Sequence, residues 1–257
     1  MRTLAIIPSR YGSSRFPGKP LADIAGKTMV RRVYEQAKKA FEDVCVATDD
    51  HRIIAEVEGF GGVAIMTSSQ HQSGTDRCFE AYTKYVTLYP DRKIDIVMNI
   101  QGDEPLIDPE QLRGLEKAFE DHSEVYLATM AKRIDSPEEL FNPNTPKVIM
   151  DKDGYALYFS RSTIPYMREV PKEEWHTKHT YYKHIGLYAY KPETLEKICS
   201  MERSNLEKCE SLEQLRWVES GLRIKVIETS STTFEVDTPE DLEKIVRYIE
   251  KDLYLCE

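Results

Sequence analysis

Cysteine is scarce in this sequence and unpatterned. The five cysteines, Cys45, Cys78, Cys199, Cys209 and Cys256, are odd in number, widely spaced and contain no C-x-x-C pair. A disulfide framework and a zinc site are thereby excluded as organising principles, and buried free thiols are expected. Long apolar runs are missing as well. No stretch approaches the ~20 residues that cross a bilayer, and the apolar part of the opening MRTLAIIPSR is too short for a signal-peptide core. A cytoplasmic protein with no membrane partner is expected. Positive charge is in deficit, with 35 Lys and Arg against 44 Asp and Glu, a net charge of −9. That balance argues against nucleic acid as a partner, because sequence-independent binding rests on neutralising phosphates. A local basic site for a small anion is compatible with it. Internal repeats, low-complexity tracts and long linkers are also absent.

What is present is an ordinary globular composition, 40% hydrophobic and 31% charged over 257 residues, long enough to bury a core without covalent staples. Strand and helix patterns alternate through the first half. Residues 4–8 form a continuous apolar run, as expected for a strand covered on two faces, and 43–48 reads as a second strand. Strands are also predicted at 63–66 and 94–100. Between them Thr28 and Asp50 can cap amphipathic helices, and further helices are predicted at 75–89 and 109–121. Such β-α repetition implies an open, mostly parallel sheet with right-handed crossovers. The second half differs. Residues 147–150 and 155–159 flank the turn signal Asp151-Lys152-Asp153-Gly154, a hairpin signature. Residues 166–182 are charged, contain Pro171 and read as an exposed arm. A strand at 183–191, a helix at 211–220, a strand at 223–228 and a final helix at 239–252 follow. The simplest organisation is one α/β domain over 1–257 with an antiparallel insertion at about 147–192.

Chemistry concentrates after the first strand, in Pro8-Ser9-Arg10-Tyr11-Gly12-Ser13-Ser14-Arg15-Phe16-Pro17-Gly18-Lys19-Pro20-Leu21. Small residues there let backbone N–H groups approach an anion, and Arg10, Arg15 and Lys19 supply fixed cations, the composition of a polyphosphate cradle. It is neither a Walker A loop nor G-x-G-x-x-G, since Gly12 and Gly18 lie too far apart and Pro20 follows Lys19. Asp103 stands just past the strand ending at Ile100, where a carboxylate can hold a metal against phosphates. Asp237 is a second candidate, although Asp237-Thr238-Pro239-Glu240 also reads as a helix start. Two aspartates from distant segments suit Mg²⁺, which takes few protein ligands. Arg161 can pair with a carboxylate, and Gln101, His184, Tyr188, Glu213 and Gln214 offer hydrogen bonds to hydroxyls. Glu213 and Gln214 equally suit an exposed helix face, and His184 a structural role. His51, His71, His122, His176 and His179 read as surface or loop residues.

The first loop resembles the R-x-x-S-S-R-x-P-G-K-P-L signature of the sugar-activating nucleotidyltransferases. More narrowly, further segments resemble the 3-deoxy-manno-octulosonate cytidylyltransferase (CMP-Kdo synthetase) branch of that family. They are ATDD at 47–50, SGTDR at 73–77, QGDEP at 101–105, YFSRSTIP at 158–165, KHIGLY at 183–188, LEQLR at 212–216 and VDTPED at 236–241, in the family's order along nearly the whole chain. The resemblance implies a Rossmann-like nucleotide-diphospho-sugar transferase fold and a cytoplasmic, often homodimeric enzyme. It would transfer CMP from CTP to 3-deoxy-D-manno-octulosonate (Kdo), releasing pyrophosphate and activating the sugar for lipopolysaccharide synthesis. It implies Arg10, Arg15, Lys19 and Asp103 as catalytic residues and Asp103 and Asp237 as Mg²⁺ ligands. Pro8, Arg10, Ser13, Ser14, Lys19, Ser73, Gly74, Thr75, Arg77 and Gln101 would bind CTP. Gln101, Arg161, His184, Tyr188, Glu213 and Gln214 would bind Kdo. Three alternatives stay open: a CMP-sugar synthetase for sialic acid or amino-Kdo, a non-catalytic nucleotide-binding regulator of the same fold, and an interaction domain whose basic loop binds another anion.

Overall fold

The opening apolar run is strand β1 (Thr3–Pro8), with Leu4, Ala5, Ile6 and Ile7 wholly buried. The computed structural model describes residues 1–12, 16–232 and 234–254, and side chains as far as residue 250. It divides into two units, Met1–Arg113 with Thr232–Glu257, and Gly114–Ser231.

In the first unit a small hairpin, β2 (Asp23–Ile24) and β3 (Lys27–Thr28), leads into α1 (Met29–Ala40). Then come β4 (Asp43–Thr48), α2 (His51–Gly59), β5 (Ala64–Met66), α3 (Gly74–Leu88) and β6 (Ile96–Asn99), and the division at Arg113 falls within α4 (Pro109–Asp121). The helix starts follow their capping residues. The Thr28 hydroxyl accepts from the Arg31 amide at 3.4 Å and the Asp50 carboxylate from the Arg52 amide at 2.8 Å. Helix α3 begins at Gly74 rather than Thr75, because the Ser73 hydroxyl caps it by accepting from the Asp76 amide at 3.1 Å. Strands β6-β1-β4-β5 are neighbours in that order and all parallel. The chain thus lays down β1, β4 and β5 in one direction and returns across β1 to add β6. At such a reversal two crossovers leave the sheet on opposite faces, and a crevice opens outside the strand ends. The segments leaving β1 and β6 there are the ones the sequence marked for chemistry.

In the second unit β7 (Leu127–Arg133) is followed by α5 (Pro137–Phe141), β8 (Lys147–Met150), β9 (Ala156–Ser160), α6 (Trp175–Lys178) and β10 (Tyr182–Tyr190). Helices α7 (Pro192–Cys199), α8 (Asn205–Glu210) and α9 (Gln214–Glu219) and strand β11 (Lys225–Thr229) complete it. Strand β7 pairs antiparallel with β10 and parallel with β11, while β8 pairs antiparallel with β9 and β10. The hairpin predicted around 151–154 is therefore β8-β9, its turn closed by the Asp151 carboxylate on the amides of Asp153 and Tyr155 at 2.9 and 2.8 Å. The helix expected over 211–220 is α9, which starts only at Gln214, and the separate helix α8 before it was not foreseen. Ser211 takes a left-handed conformation (φ 51°) that ends α8 before α9 starts. The supposed arm at 166–182 is largely exposed but anchored: Trp175 is buried against Ile134, Leu140 and Tyr181 and donates to the Val170 carbonyl at 2.9 Å.

Finally α10 (Pro239–Tyr254) belongs to the first unit, where Val236 and Ile245 close a cluster with Ile24 and Met29. Among the described residues no helix is long and apolar enough to cross a membrane. Cys45, Cys78, Cys199 and Cys209 are free thiols, as expected, but only the first two are buried, and Cys209 is exposed. Cys256 lies outside the described residues.

Candidate active site

Lys19 is the centre of the first unit's cleft. Gly18 precedes it at φ +76°, a left-handed conformation that glycine adopts without strain, and Pro20 follows in a short 3₁₀ turn. The Lys19 ammonium donates to Asp103 Oδ2 at 2.8 Å, to the Val236 carbonyl at 2.9 Å and to Asp237 Oδ1 at 3.4 Å. The two aspartates are spaced by backbone as well, since the Val236 amide donates to the Asp103 carbonyl at 3.0 Å. Asp237 does not cap α10. Thr238 does, exchanging hydrogen bonds with Asp241: its hydroxyl donates at 2.9 Å and accepts from the Asp241 amide at 3.3 Å. The Asp237 carboxylate accordingly faces Lys19. Of the two readings that the sequence left open for it, helix capping is thereby removed.

The cleft holds about 270 Å³ and is lined by Pro8, Ser9, Arg10, Lys19, Ser73, Gly74, Arg77, Gln101, Gly102, Asp103 and Asp237, among others. Of the expected nucleotide and metal residues it brings together nine: Pro8, Arg10, Lys19, Ser73, Gly74, Arg77, Gln101, Asp103 and Asp237. Thr75 is buried in the first turn of α3, away from the cleft lining. Ser13, Ser14 and Arg15 lie outside the described residues. Gly102 has a steric reason: a Cβ there would come within 2.9 Å of the Pro8 carbonyl and 3.0 Å of Ser9 Oγ, so the loops leaving β1 and β6 could not approach as they do. Arg77 is only 4% exposed, and its guanidinium donates to Thr67 Oγ1 at 2.6 Å and Asp49 Oδ2 at 3.0 Å. It braces the ends of β4 and β5 from the cleft floor.

His71 and Gln72 also line the cleft. His71 is a loop residue, as expected, but one that borders the cleft. Its imidazole pairs with Glu80 of α3, which also accepts from the Ser68 amide at 2.8 Å and from Lys84. Burial pushes the Glu80 carboxyl up, but these hydrogen bonds outweigh it and hold it at about 2. The available signal was position, two residues before the helix cap Ser73.

The second unit gathers most of the expected sugar ligands. A bulge in β10 between Ile185 and Tyr188 brings the His184 and Tyr188 rings to 5.4 Å, although regular strand residues four apart are separated by about 13 Å. His184 Nε2 bonds Thr129 Oγ1 at 3.0 Å, and burial lowers its pKa to about 3, so the ring is neutral. Burial, then neighbouring Glu213, raises the Tyr188 hydroxyl well above its ordinary value. Gln214 is buried rather than on an exposed face, and Glu213 accepts from Arg216 at 2.8 Å. Trp217, which the sequence did not single out, stands 5.1 Å from Tyr188, ring to ring. Both Gln214 Nε2 and Trp217 Nε1 are buried donors without an acceptor, an arrangement that suits a hydroxylated ligand. Arg161 is more heavily engaged than expected. It donates to the carbonyls of Glu210 at 2.6 Å and Pro143 at 3.1 Å, while Lys147, wholly buried, donates to those of Asn142 at 2.9 Å and Thr145 at 2.7 Å. The two cations clamp the 142–145 turn.

Comparison with known proteins agrees with this chemistry. The cytidylyltransferase family model matches residues 4–224. The chain is 52% identical over 253 residues to a 3-deoxy-manno-octulosonate cytidylyltransferase of Parabacteroides distasonis, covering 97% of this chain and 98% of that protein. It is 50% identical to the protein of the same name from Thermodesulfovibrio yellowstonii, over 95% of this chain and 96% of the relative. The structure of CMP:2-keto-3-deoxy-manno-octonic acid synthetase complexed with CTP is similar with a TM-score of 0.89 and 42% identity, covering 98% of this chain and all of that one. A putative glucose-1-phosphate thymidylyltransferase from Bacillus anthracis shares only the fold, with a TM-score of 0.63 and 15% identity over 96% of this chain and 94% of that one.

Proposed function

The chain belongs to the cytidylyltransferase family, and we propose from that premise that it transfers CMP from CTP to Kdo, giving CMP-Kdo and pyrophosphate. The observation that carries the reading is the contact of one ammonium, Lys19, with two carboxylates, Asp103 and Asp237, beside Arg10 in a single cleft.

The sugar's 2-hydroxyl oxygen forms a bond to the α-phosphorus as the bond from that phosphorus to the β-phosphate's bridging oxygen breaks. The hydroxyl proton passes to solvent, and pyrophosphate carries away the electron pair. Bringing an anionic sugar to a triphosphate is chiefly an electrostatic problem. Preorganised cations aimed at the developing charge address it without reorganising water. Arg10 and Lys19 are those cations in the described cleft, and Arg15 joins them in this reading. The Ser73–Gly74 end of α3 and the backbone leaving β1 at Pro8 receive the base. Neutral His184, Tyr188, Gln214 and Glu213 hold the sugar's hydroxyls by hydrogen bonds, and Trp217 joins them. Arg161 orients its carboxylate.

Asp103 and Asp237 would hold Mg²⁺. Two carboxylates already converge on one cation, a donor set that suits an ion which keeps waters and phosphate oxygens in its shell. Bound there, it would polarise the phosphates. A homodimer belongs to the same reading, with the Trp175-anchored segment offering its exposed Tyr166.

The test is pyrophosphate release from CTP and Mg²⁺ with and without Kdo, with the product followed by ³¹P NMR. Kdo-dependent release, abolished in Asp103→Asn without loss of fold, is expected. Release with sialic acid but not Kdo, or unimpaired turnover in the variant, would overturn the assignment.

A further inference from the structure

We propose that Arg52 is a positioning residue for the triphosphate, acting through Tyr11 on the spacing of Arg10 and Lys19. The proposal rests on the preceding assignment of those two cations to the phosphates.

The Tyr11 carbonyl accepts from the Gly18 amide at 2.9 Å. That bond closes the neck of the loop after β1, and the two cations stand immediately outside it, Arg10 on one side and Lys19 on the other. How far apart they are held therefore depends on how rigidly Tyr11 and Gly18 are kept together. The Tyr11 side chain reinforces the neck. A Cβ on Gly18 would lie 3.1 Å from the ring carbon Cζ and 3.1 Å from the hydroxyl, so the ring lies close over the glycine backbone.

Arg52 then covers Tyr11. Its guanidinium carbon lies 3.4 Å from the ring centroid, a stacked cation–π contact. The guanidinium is not free to swing away. Asp50 grips it at both ends, with Nε to Oδ1 at 2.9 Å and Nη2 to Oδ2 at 2.7 Å. Asp50 is itself fixed as the cap of α2, where it accepts from the Arg52 amide at 2.8 Å. Helix α2 is anchored by buried Ile53 and Val57. The chain of contacts thus runs from a rigid helix start, through a bidentate ion pair, to an aromatic ring, and then to the neck that spaces the cations. An exposed ion pair alone contributes little. Its effect here comes from presenting a flat cation to one ring.

The experiment is steady-state kinetics with CTP and Kdo, together with pyrophosphate inhibition, on Arg52→Ala, Arg52→Lys, Tyr11→Leu and the Arg52→Ala/Tyr11→Leu double variant. Arg52→Ala is expected to raise KM for CTP and Ki for pyrophosphate about three- to tenfold. KM for Kdo and kcat should stay within about twofold and Tm within about 2 °C. Arg52→Lys recovers part of the loss, because an ammonium keeps the ring contact but not the bidentate grip. The double variant should be no worse than Tyr11→Leu alone, since both changes break one linkage. Unchanged CTP parameters in Arg52→Ala, a parallel rise in both KM values with a falling Tm, or multiplicative losses in the double variant would each overturn the proposal. If wild-type protein neither binds CTP by calorimetry nor releases pyrophosphate, the parent assignment fails too. If it does both and Arg52→Ala matches it, only the role of Arg52 fails.

Discussion

Lys19 shows what a residue-level reading can and cannot see. Its charge and its place after a first strand were plain in the sequence. Asp103 and Asp237 were singled out as metal candidates, but that they and the Val236 carbonyl accept from its ammonium was not plain, because they come from segments far along the chain. Asp237 was ambiguous for a similar reason: only the Thr238–Asp241 exchange shows that the cap is one residue later. Gly102 makes a sharp prediction. Since a Cβ would press on the Pro8 carbonyl at 2.9 Å, Gly102→Ala should lower kcat/KM at least about tenfold by displacing the neighbouring Asp103. Steady-state kinetics beside a thermal melt checks it, and near-wild-type turnover would contradict it. His184 makes another. Its folded pKa of about 3 is depressed from the usual 6.5, so between those values the unfolded chain binds the extra proton. Stability should therefore fall as pH drops through that window. In urea titrations at pH 7 and pH 4.5, His184→Gln should lose less stability between the two than wild type does. Equal losses would mean that the ring titrates normally.

At the scale of elements, the β-α alternation of the first unit was legible because continuous apolar runs and 3.6-residue periodicity are local signals. Strand β7 was not, since its pattern, LATMAKR, interrupts its apolar residues with Thr129 and ends in charge, and its partners β10 and β11 lie far along the chain. The bulge in β10 was equally hidden, for it is a property of pairing rather than composition. The 166–182 segment misled through its charge, which describes its exposed residues but not the one indole beneath them. Trp175→Ala should cost about 3–5 kcal/mol in chemical denaturation, as large buried aromatics do. A loss below about 1 kcal/mol would mean that the segment is not anchored there. Thr238→Ala should cost about 1 kcal/mol by removing the cap of α10. If Asp237 were the cap instead, Asp237→Ala would show that cost and Thr238→Ala would not.

Over the whole molecule, a net charge of −9 coexists with a cleft carrying Arg10, Lys19 and Arg77. A polyanion drawn to that cleft feels it against an acidic background, so KM for CTP should rise with ionic strength between 0.05 and 0.5 M, while KM for the singly charged sugar changes less. Similar salt slopes for both substrates would argue against a concentrated cationic pocket. The composition argued against nucleic acid through the same arithmetic, yet it could not say where the few productive cations would meet. The answer lies in chain order. Asp103 precedes the entire second unit, whereas Val236 and Asp237 follow it. During synthesis a ribosome therefore delivers one of the three Lys19 acceptors early and the other two almost last. A nascent or prematurely stopped chain ending near residue 231 would lack two of the three acceptors, and it would leave Ile24 and Met29 without Val236 and Ile245 to cover them. Unfinished chains would thus be both inert toward nucleotide and marked by bare apolar surface, the feature that chaperones and proteases recognise.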